Sequence, residues 1–181
     1  GRYIIESLRQ PLEDGRITIS RAIGSITYPA GFQLVAAMNP CPCGYFGDLE
    51  KACICGPGPV LKYQKKISGP LLDRIDIQLR LSRERLDKIR INGTLNEPSN
   101  QIKQRVEMAR KIQYNRLKNS AMFTNSEMTN QQVKNSCQID TDTETMLENF
   151  ILRKHLSMRT YYRILKIART IADLSNNENI L

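Results

Sequence analysis

The 181-residue chain is long enough for one domain, or two small ones, with a real core. Its formal net charge of +9 comes from 27 Lys and Arg against 18 Asp and Glu, and the surplus is even: 14 basic and 9 acidic residues over 1–90, 13 and 9 over 91–181. That spread excludes a basic tail as the source of the charge. It suits either a folded surface meeting nucleic acid or phosphate, or simply a soluble protein of high pI.

No apolar run approaches the roughly 20 residues needed to span a bilayer. The first residues lack the apolar core of a signal peptide, so no membrane partner is expected. Of five cysteines, four are clustered and Cys137 stands alone. Paired Cys-x-Cys units without export signals read as metal ligands in a reducing, cytoplasmic setting. The chain opens on Gly1, and residues 3–8 look like the middle of a helix, so a piece of a longer protein is expected.

A first helix is expected to end near Gln10-Pro11, because proline disfavours helix in the residue before it. Leu12-Glu13-Asp14-Gly15 then reads as a turn. Residues 16–20 and 25–28 alternate apolar and polar side chains and read as a hairpin with Arg21-Ala22-Ile23-Gly24 at its tip. Arg21 is placed there to touch a polyanion, although surface arginines are common. Leu34 to Met38 is short, continuous and apolar, which predicts a strand buried on both faces. Asn39 would stand at its carboxyl end, where open α/β sheets bind ligands, or would simply begin a turn with Pro40.

Cys41-Pro-Cys43 and Cys53-Ile-Cys55 bracket a loop containing Gly44 and Gly47. Four thiolates so paired suit tetrahedral Zn2+, and the glycines let the chain fold closely around an ion. The competing reading is redox-labile thiols, or a site that retains metal only in part. With four protein ligands and no open position, a zinc here is structural.

Gly56-Pro-Gly-Pro59 reads as a rigid turn into a short basic helix over 61–66. Ser68 to Arg74 reads as a second turn and helical piece, and residues 75–81 alternate like a strand with one buried face. Arg74 sits at that junction, able to reach a phosphate or to pair with Asp73 or Asp76. Residues 91–99 are rich in turn formers and mark a boundary. Beyond them, Ile102, Val106, Ala109 and Ile112 share one face of a helix capped by Ser99 or Asn100, while Arg116 and its basic neighbours are assigned to the other faces. A short helix is expected over 129–136. Another spans 140–155 with Met146, Phe150 and Ile151 inward. The last is capped by Ser157 and carries a broad apolar stripe from Tyr161 to Ala172, with Arg159 in its first turn. His155, the only histidine, reads as surface or interhelix packing.

Four stretches together resemble a known family: Leu-Arg-Gln-Pro-Leu-Glu-Asp-Gly (8–15), Phe-Gln-Leu-Val-Ala-Ala-Met-Asn-Pro-Cys-Pro-Cys-Gly (32–44), Ile-Ser-Gly-Pro-Leu-Leu-Asp-Arg-Ile-Asp-Ile (67–77) and Ile-Leu-Lys-Ile-Ala-Arg-Thr-Ile-Ala-Asp-Leu (164–174). They are similar to the C-terminal part of the magnesium-chelatase-like AAA+ ATPases of the ComM/YifB group, over nearly the whole chain and in the expected order. The resemblance implies an α/β fold. Residues 1–92 would be the C-terminal half of an AAA+ core (hairpin, sensor-1 strand, cysteine knuckle, arginine-finger strand), and 93–181 an α-helical lid.

The same resemblance implies site roles. Asn39 matches sensor 1, which helps position the attacking water. Arg74 matches the arginine finger that reaches a neighbouring subunit's nucleotide, and Arg159 matches sensor 2. Arg21 occupies the hairpin tip that faces DNA in a pore. ATP with Mg2+ would be the cofactor, and a homo-oligomeric ring, a hexamer, the assembly. No G-x-x-x-x-G-K-[ST] phosphate loop occurs in the 181 residues, nor does an acidic strand of the Walker B kind precede Asn39, so the chain by itself is expected to be inactive. The implied activity is an ATP-driven DNA motor, a helicase or branch-migration factor in recombination or natural transformation. The alternatives are the ATPase subunit of magnesium insertion into porphyrin, and a non-enzymatic zinc and helix-turn-helix DNA-binding module using Arg159, Thr160 and Arg163.

Overall fold

The computed structural model of the chain describes residues 2–81 and 97–180. The chain divides into two compact units, Gly1–Leu86 and Asp87–Leu181. The expected boundary at residue 92 lies outside the described residues. No helix among the described residues is long and apolar enough to cross a membrane.

The first unit opens with two short helices, α1 (Arg2–Glu6) and α2 (Arg9–Asp14). Pro11 does not end the helix as expected. It lies within the first turn of α2, where a missing N–H leaves no intrahelical bond unmade. The Leu12-Glu13-Asp14-Gly15 turn is instead the last turn of α2, stopped by Gly15 at φ 62°, where only glycine is free of strain.

Strands β1 (Arg16–Arg21) and β2 (Gly24–Pro29) form the expected antiparallel hairpin. Ile17 pairs with Tyr28 and Ile19 with Ile26 on one face. On the other, Thr18 and Thr27 hydroxyls meet at 2.9 Å and Ser20 and Ser25 at 2.7 Å. Alternation of period two thus sorts the hairpin into an apolar and a hydroxyl face.

The two further strands expected from the sequence do not form. Residues 32–39 and 75–81 contain neither strand nor helix, and Val35 and Leu79 are 85% and 80% exposed. The reason is pairing: β1 and β2 bond only each other, so neither segment has a neighbouring strand among the described residues. An apolar run becomes a strand only where a ladder and a packed face exist for it. Helices α3 (Pro57–Gln64) and α4 (Gly69–Leu72) do form. Helix α3 begins one turn earlier than expected because Pro57 suits a first helical position.

The second unit is helical: α5 (Ser99–Leu117), a 3-10 turn (Asn125–Glu127), α6 (Asn130–Ser136), α7 (Thr141–Arg153) and α8 (Met158–Leu174). Thr129, Asp140 and Ser157 side chains accept from the first-turn N–H groups of α6, α7 and α8, satisfying donors the helices cannot. For α5 the expected Ser99 or Asn100 cap is absent, and Pro98 holds the N-cap position without a side-chain bond. Helices α7 and α8 both end in paired 6→1 and 5→2 backbone bonds around a left-handed residue, His155 (φ 51°) and Asn176 (φ 55°). The lone histidine is therefore an exposed helix terminator.

Leu117, Met128, Val133, Cys137, Leu147, Ile151, Leu165, Ala172 and Ile180 make one core. On α7, Ile151 is buried as expected, but Leu147 joins it there in place of Met146 and Phe150, which are 68% and 47% exposed. On α5 the buried stripe is Ala109, Gln113 and Leu117, and Ile102 and Val106 face outward.

Candidate functional site

Seven of the sequence-selected site residues lie in the first unit, and all but Arg21 belong to two local arrangements. The first surrounds Arg74. Helix α4 starts at Ser68, whose hydroxyl accepts from the Leu71 N–H at 3.3 Å and donates to Glu6 Oε2 at 2.9 Å. Just past α4, Arg74 donates through Nη1 to the Pro70 carbonyl at 2.5 Å and through Nη2 to Glu13 of α2. Its pairing is thus with Glu13 and not with the adjacent Asp73 or Asp76. The side chain of Arg74 is 20% exposed, and its Nε is buried without a hydrogen-bond partner. Sequence spacing gives no hint of Glu13, because the pair joins positions 61 residues apart.

The second arrangement is the cysteine cluster, with Asn39 at its edge. Cys41 Sγ lies 3.3 Å from Cys43 Sγ and 3.7 Å from Cys53 Sγ, and Cys43 and Cys53 are 3.5 Å apart. With Cys55, all four sulfurs lie within 4.8 Å of one another. Gly44 and Gly47, at φ 85° and 82°, take the left-handed turns that close the loop. Asp48 orders its far side by accepting from the N–H groups of Glu50 and Lys51 at 2.8 and 2.9 Å.

The four thiols differ in acidity. A backbone hydrogen bond from Tyr45, helped by Cys41 and Ile54, brings the Cys43 thiol down to about 6. At Cys53 a backbone hydrogen bond at Cys55 pulls downward, but burial and the neighbouring Cys43 and Cys41 outweigh it and push the thiol up to about 12. Cys55 is raised for the same kinds of reason. Packed sulfurs cannot all carry negative charge without a cation among them. The set can close around one metal ion. Cys137 belongs elsewhere, in the core of the second unit, where burial raises its thiol.

Asn39 is exposed and lies beside this knuckle, where a Cβ added to Gly44 would come 4.0 Å from Asn39 Nδ2. Arg21 is the last paired residue of β1, opposite Gly24, and is exposed beside the Ala22-Ile23 loop. Arg159 stands exposed in the first turn of α8, in the second unit.

The second unit holds a charged group that the sequence reading missed. Arg116 donates to both carboxylate oxygens of Asp173, at 2.8 and 2.5 Å, and to Asn125 Oδ1 at 2.9 Å. Arg169 donates from Nε to Asp173 at 3.1 Å, and its two terminal nitrogens cap the carbonyls of Glu178 and Asn177 at 2.6 and 2.5 Å. Arg169 and Asp173 are 3% and 1% exposed. Burial alone would raise the Asp173 carboxyl, but the hydrogen bonds from Arg116 and Asn125 and the charges of Arg116 and Arg169 hold it below the usual carboxylate range. The signals were spacings: Arg169 and Asp173 are i and i+4, and Arg116 stands three residues after Gln113, beside the buried stripe of α5.

Two family models match in tandem, magnesium chelatase subunit ChlI over residues 1–89 and the C-terminal part of the same subunit over 96–181. The chain is 36% identical over 179 residues to competence protein ComM of Haemophilus influenzae, covering 99% of this chain and 34% of that protein. It is 37% identical over 182 residues to the uncharacterised protein YifB of Escherichia coli, again 99% and 34% of the two. An uncharacterised protein of Mycobacterium tuberculosis is 36% identical over 171 residues, 94% of this chain and 33% of its own length. The chain therefore spans about a third of the length of the curated relatives it matches. Two adjoining family matches and identity at this level over nearly the whole chain agree with the motif order at 8–15, 32–44, 67–77 and 164–174, and the chain belongs to the magnesium-chelatase-like family, in its ComM/YifB-like group.

Proposed function

We propose that this chain forms the C-terminal portion of a cytoplasmic, ATP-driven AAA+ motor that acts on DNA, with Mg-ATP bound between subunits of a homo-oligomeric ring, a hexamer. The observation that carries the reading is the match to competence protein ComM over 99% of the chain with the Asn39 and Arg74 motifs in place. In this reading Asn39 serves its own subunit's nucleotide by positioning the attacking water. Arg74, held at the end of α4, neutralises charge on the phosphoryl group transferred at the neighbouring site, an effect worth roughly 10³–10⁵ in rate. Arg159, at the start of α8, contacts the nucleotide from the lid. The phosphate-cradling loop belongs to protein outside these residues, so the chain alone does not hydrolyse ATP.

Arg21 at the hairpin end contributes positive charge to a pore that DNA threads, supported by the chain's net +9. The task is helicase or branch-migration work in recombination or DNA uptake. A second reading, magnesium insertion into a porphyrin, is favoured by one observation, the description of both matching family models. ATPase assays of the full-length protein separate the two. Stimulation by single-stranded DNA supports the DNA motor, and stimulation by a porphyrin with no response to DNA removes it.

A further inference from the structure

We propose that Cys41, Cys43, Cys53 and Cys55 hold a single Zn2+ ion in a closed structural centre that braces the Asn39-Pro40 segment against α3. A tetrahedron with zinc–sulfur bonds of ~2.3 Å has edges of about 3.8 Å. The three sulfur separations of 3.3, 3.7 and 3.5 Å lie within half an ångström of that edge, and no sulfur of the four is beyond 4.8 Å from another. One ion at their centre reaches all four with small side-chain adjustments. A cluster of several iron atoms needs its cysteines spread wider, and a tetrahedral all-sulfur shell around one ion is zinc's usual setting. The separations also exceed the ~2.05 Å of a disulfide bond, and all four cysteines are free.

The loop is built for such an ion. Its two left-handed glycines and the Gly44 N–H to Cys41 carbonyl bond of 3.1 Å return the chain so that both Cys-x-Cys units face one point. The brace follows from what the knuckle touches. Gln64 of α3 donates to the Pro40 carbonyl at 3.1 Å, and Cys41 and Val60 of α3 are buried at 0% and 4% exposure. Apart from these, Pro11 and Leu71 are the buried residues among those described in the first unit. So small an apolar core leaves a bound metal much of the local ordering to supply. The proposal stands on this geometry and is independent of the motor reading.

The test is elemental analysis of the purified chain under reducing conditions, joined to thermal denaturation with and without a chelator. The expected result is about one zinc per chain, a lowered melting midpoint with chelator, and recovery on adding Zn2+. Cobalt reconstitution should give the strong visible bands of a tetrahedral tetrathiolate. Cys137→Ala should keep the full zinc content, and the double variant Cys53→Ser/Cys55→Ser should lose it. If that double variant does not fold, the wild-type chelation and cobalt series decide the matter. Zinc well below one equivalent with no thermal response to chelator, or cobalt spectra lacking tetrahedral thiolate bands, overturns the proposal.

Discussion

Glu13 and Arg74 form an ion pair that ties the last turn of α2 to the end of α4 across 61 residues of sequence. The same guanidinium donates to the Pro70 carbonyl, so two fixed acceptors orient it. An arginine that must meet a phosphate on another subunit gains from such orientation, because less side-chain freedom is lost when the phosphate arrives. In the proposed motor, Arg74 exchanges or shares Glu13 for the nucleotide.

Replacing Arg74 is the first consequence. In the full-length protein, Arg74→Ala should lower ATP turnover by roughly 10³-fold or more while ATP affinity stays near wild type. Arg74→Lys should recover little, since an ammonium cannot reproduce the planar fork. Glu13→Gln should reduce turnover far less than either. Turnover and nucleotide-binding measurements on the same preparations check this, and loss of binding in Arg74→Ala would remove the finger role.

The Asp173 network makes a stability prediction. Asp173→Ala leaves Arg116 and Arg169 without their shared counter-charge, a buried Arg169 at 3% exposure among them, and should cost about 3–5 kcal/mol. Because the folded carboxyl lies below its unfolded value, its contribution is present above that value and fades as pH falls through the folded one. Wild-type urea midpoints should therefore drop as pH is lowered from about 5 toward 3, and Asp173→Asn should flatten that segment of the profile. A variant with an unchanged slope would assign the acid sensitivity to other groups.

A smaller effect is expected at the start of α7. Asp140 Oδ1 accepts from the Thr143 N–H at 2.7 Å, and this bond holds its carboxyl below the ordinary range. Asp140→Ala should destabilise the second unit by about 1 kcal/mol, and Asp140→Asn by much less, in urea titrations at neutral pH.

Arg21 provides the DNA prediction. Arg21→Glu in the full-length protein should weaken single-stranded DNA binding uniformly across sequences and reduce the salt dependence by about one counterion. Fluorescence anisotropy over a salt series reads both quantities. Unchanged affinity and slope would place the DNA contact elsewhere.

Much of the fold was legible where local chemistry decides it. The β1–β2 pairing follows from alternation, Thr129 and Ser157 cap their helices through hydroxyls, and the cysteine spacing alone drew four sulfurs together. Residues 34–38 and 75–81 were misread as strands because a strand is completed by its neighbours, which periodicity does not contain. Leu147 rather than Met146 turns inward because one residue rotates a helix face by about 100°, and an apolar pair at adjacent positions leaves the facing open. Arg116 and Asp173 were passed over for another reason: charged residues are assigned outward unless a partner is known, and here the partners lie 57 residues apart. At the candidate site, Arg74 was legible as a position but Glu13 as its partner was not.

In the proposed motor, Asn39 and Arg74 act on different nucleotides, one in its own subunit and one in its neighbour. Asn39→Ala and Arg74→Ala forms of the full-length protein, each inactive alone, should regain part of wild-type ATPase activity when mixed and allowed to exchange subunits. Some interfaces then draw Asn39 from one variant and Arg74 from the other. Equal inactivity of the mixture and of the separate variants, with subunit exchange verified, would contradict a nucleotide site shared between Asn39 of one subunit and Arg74 of the next.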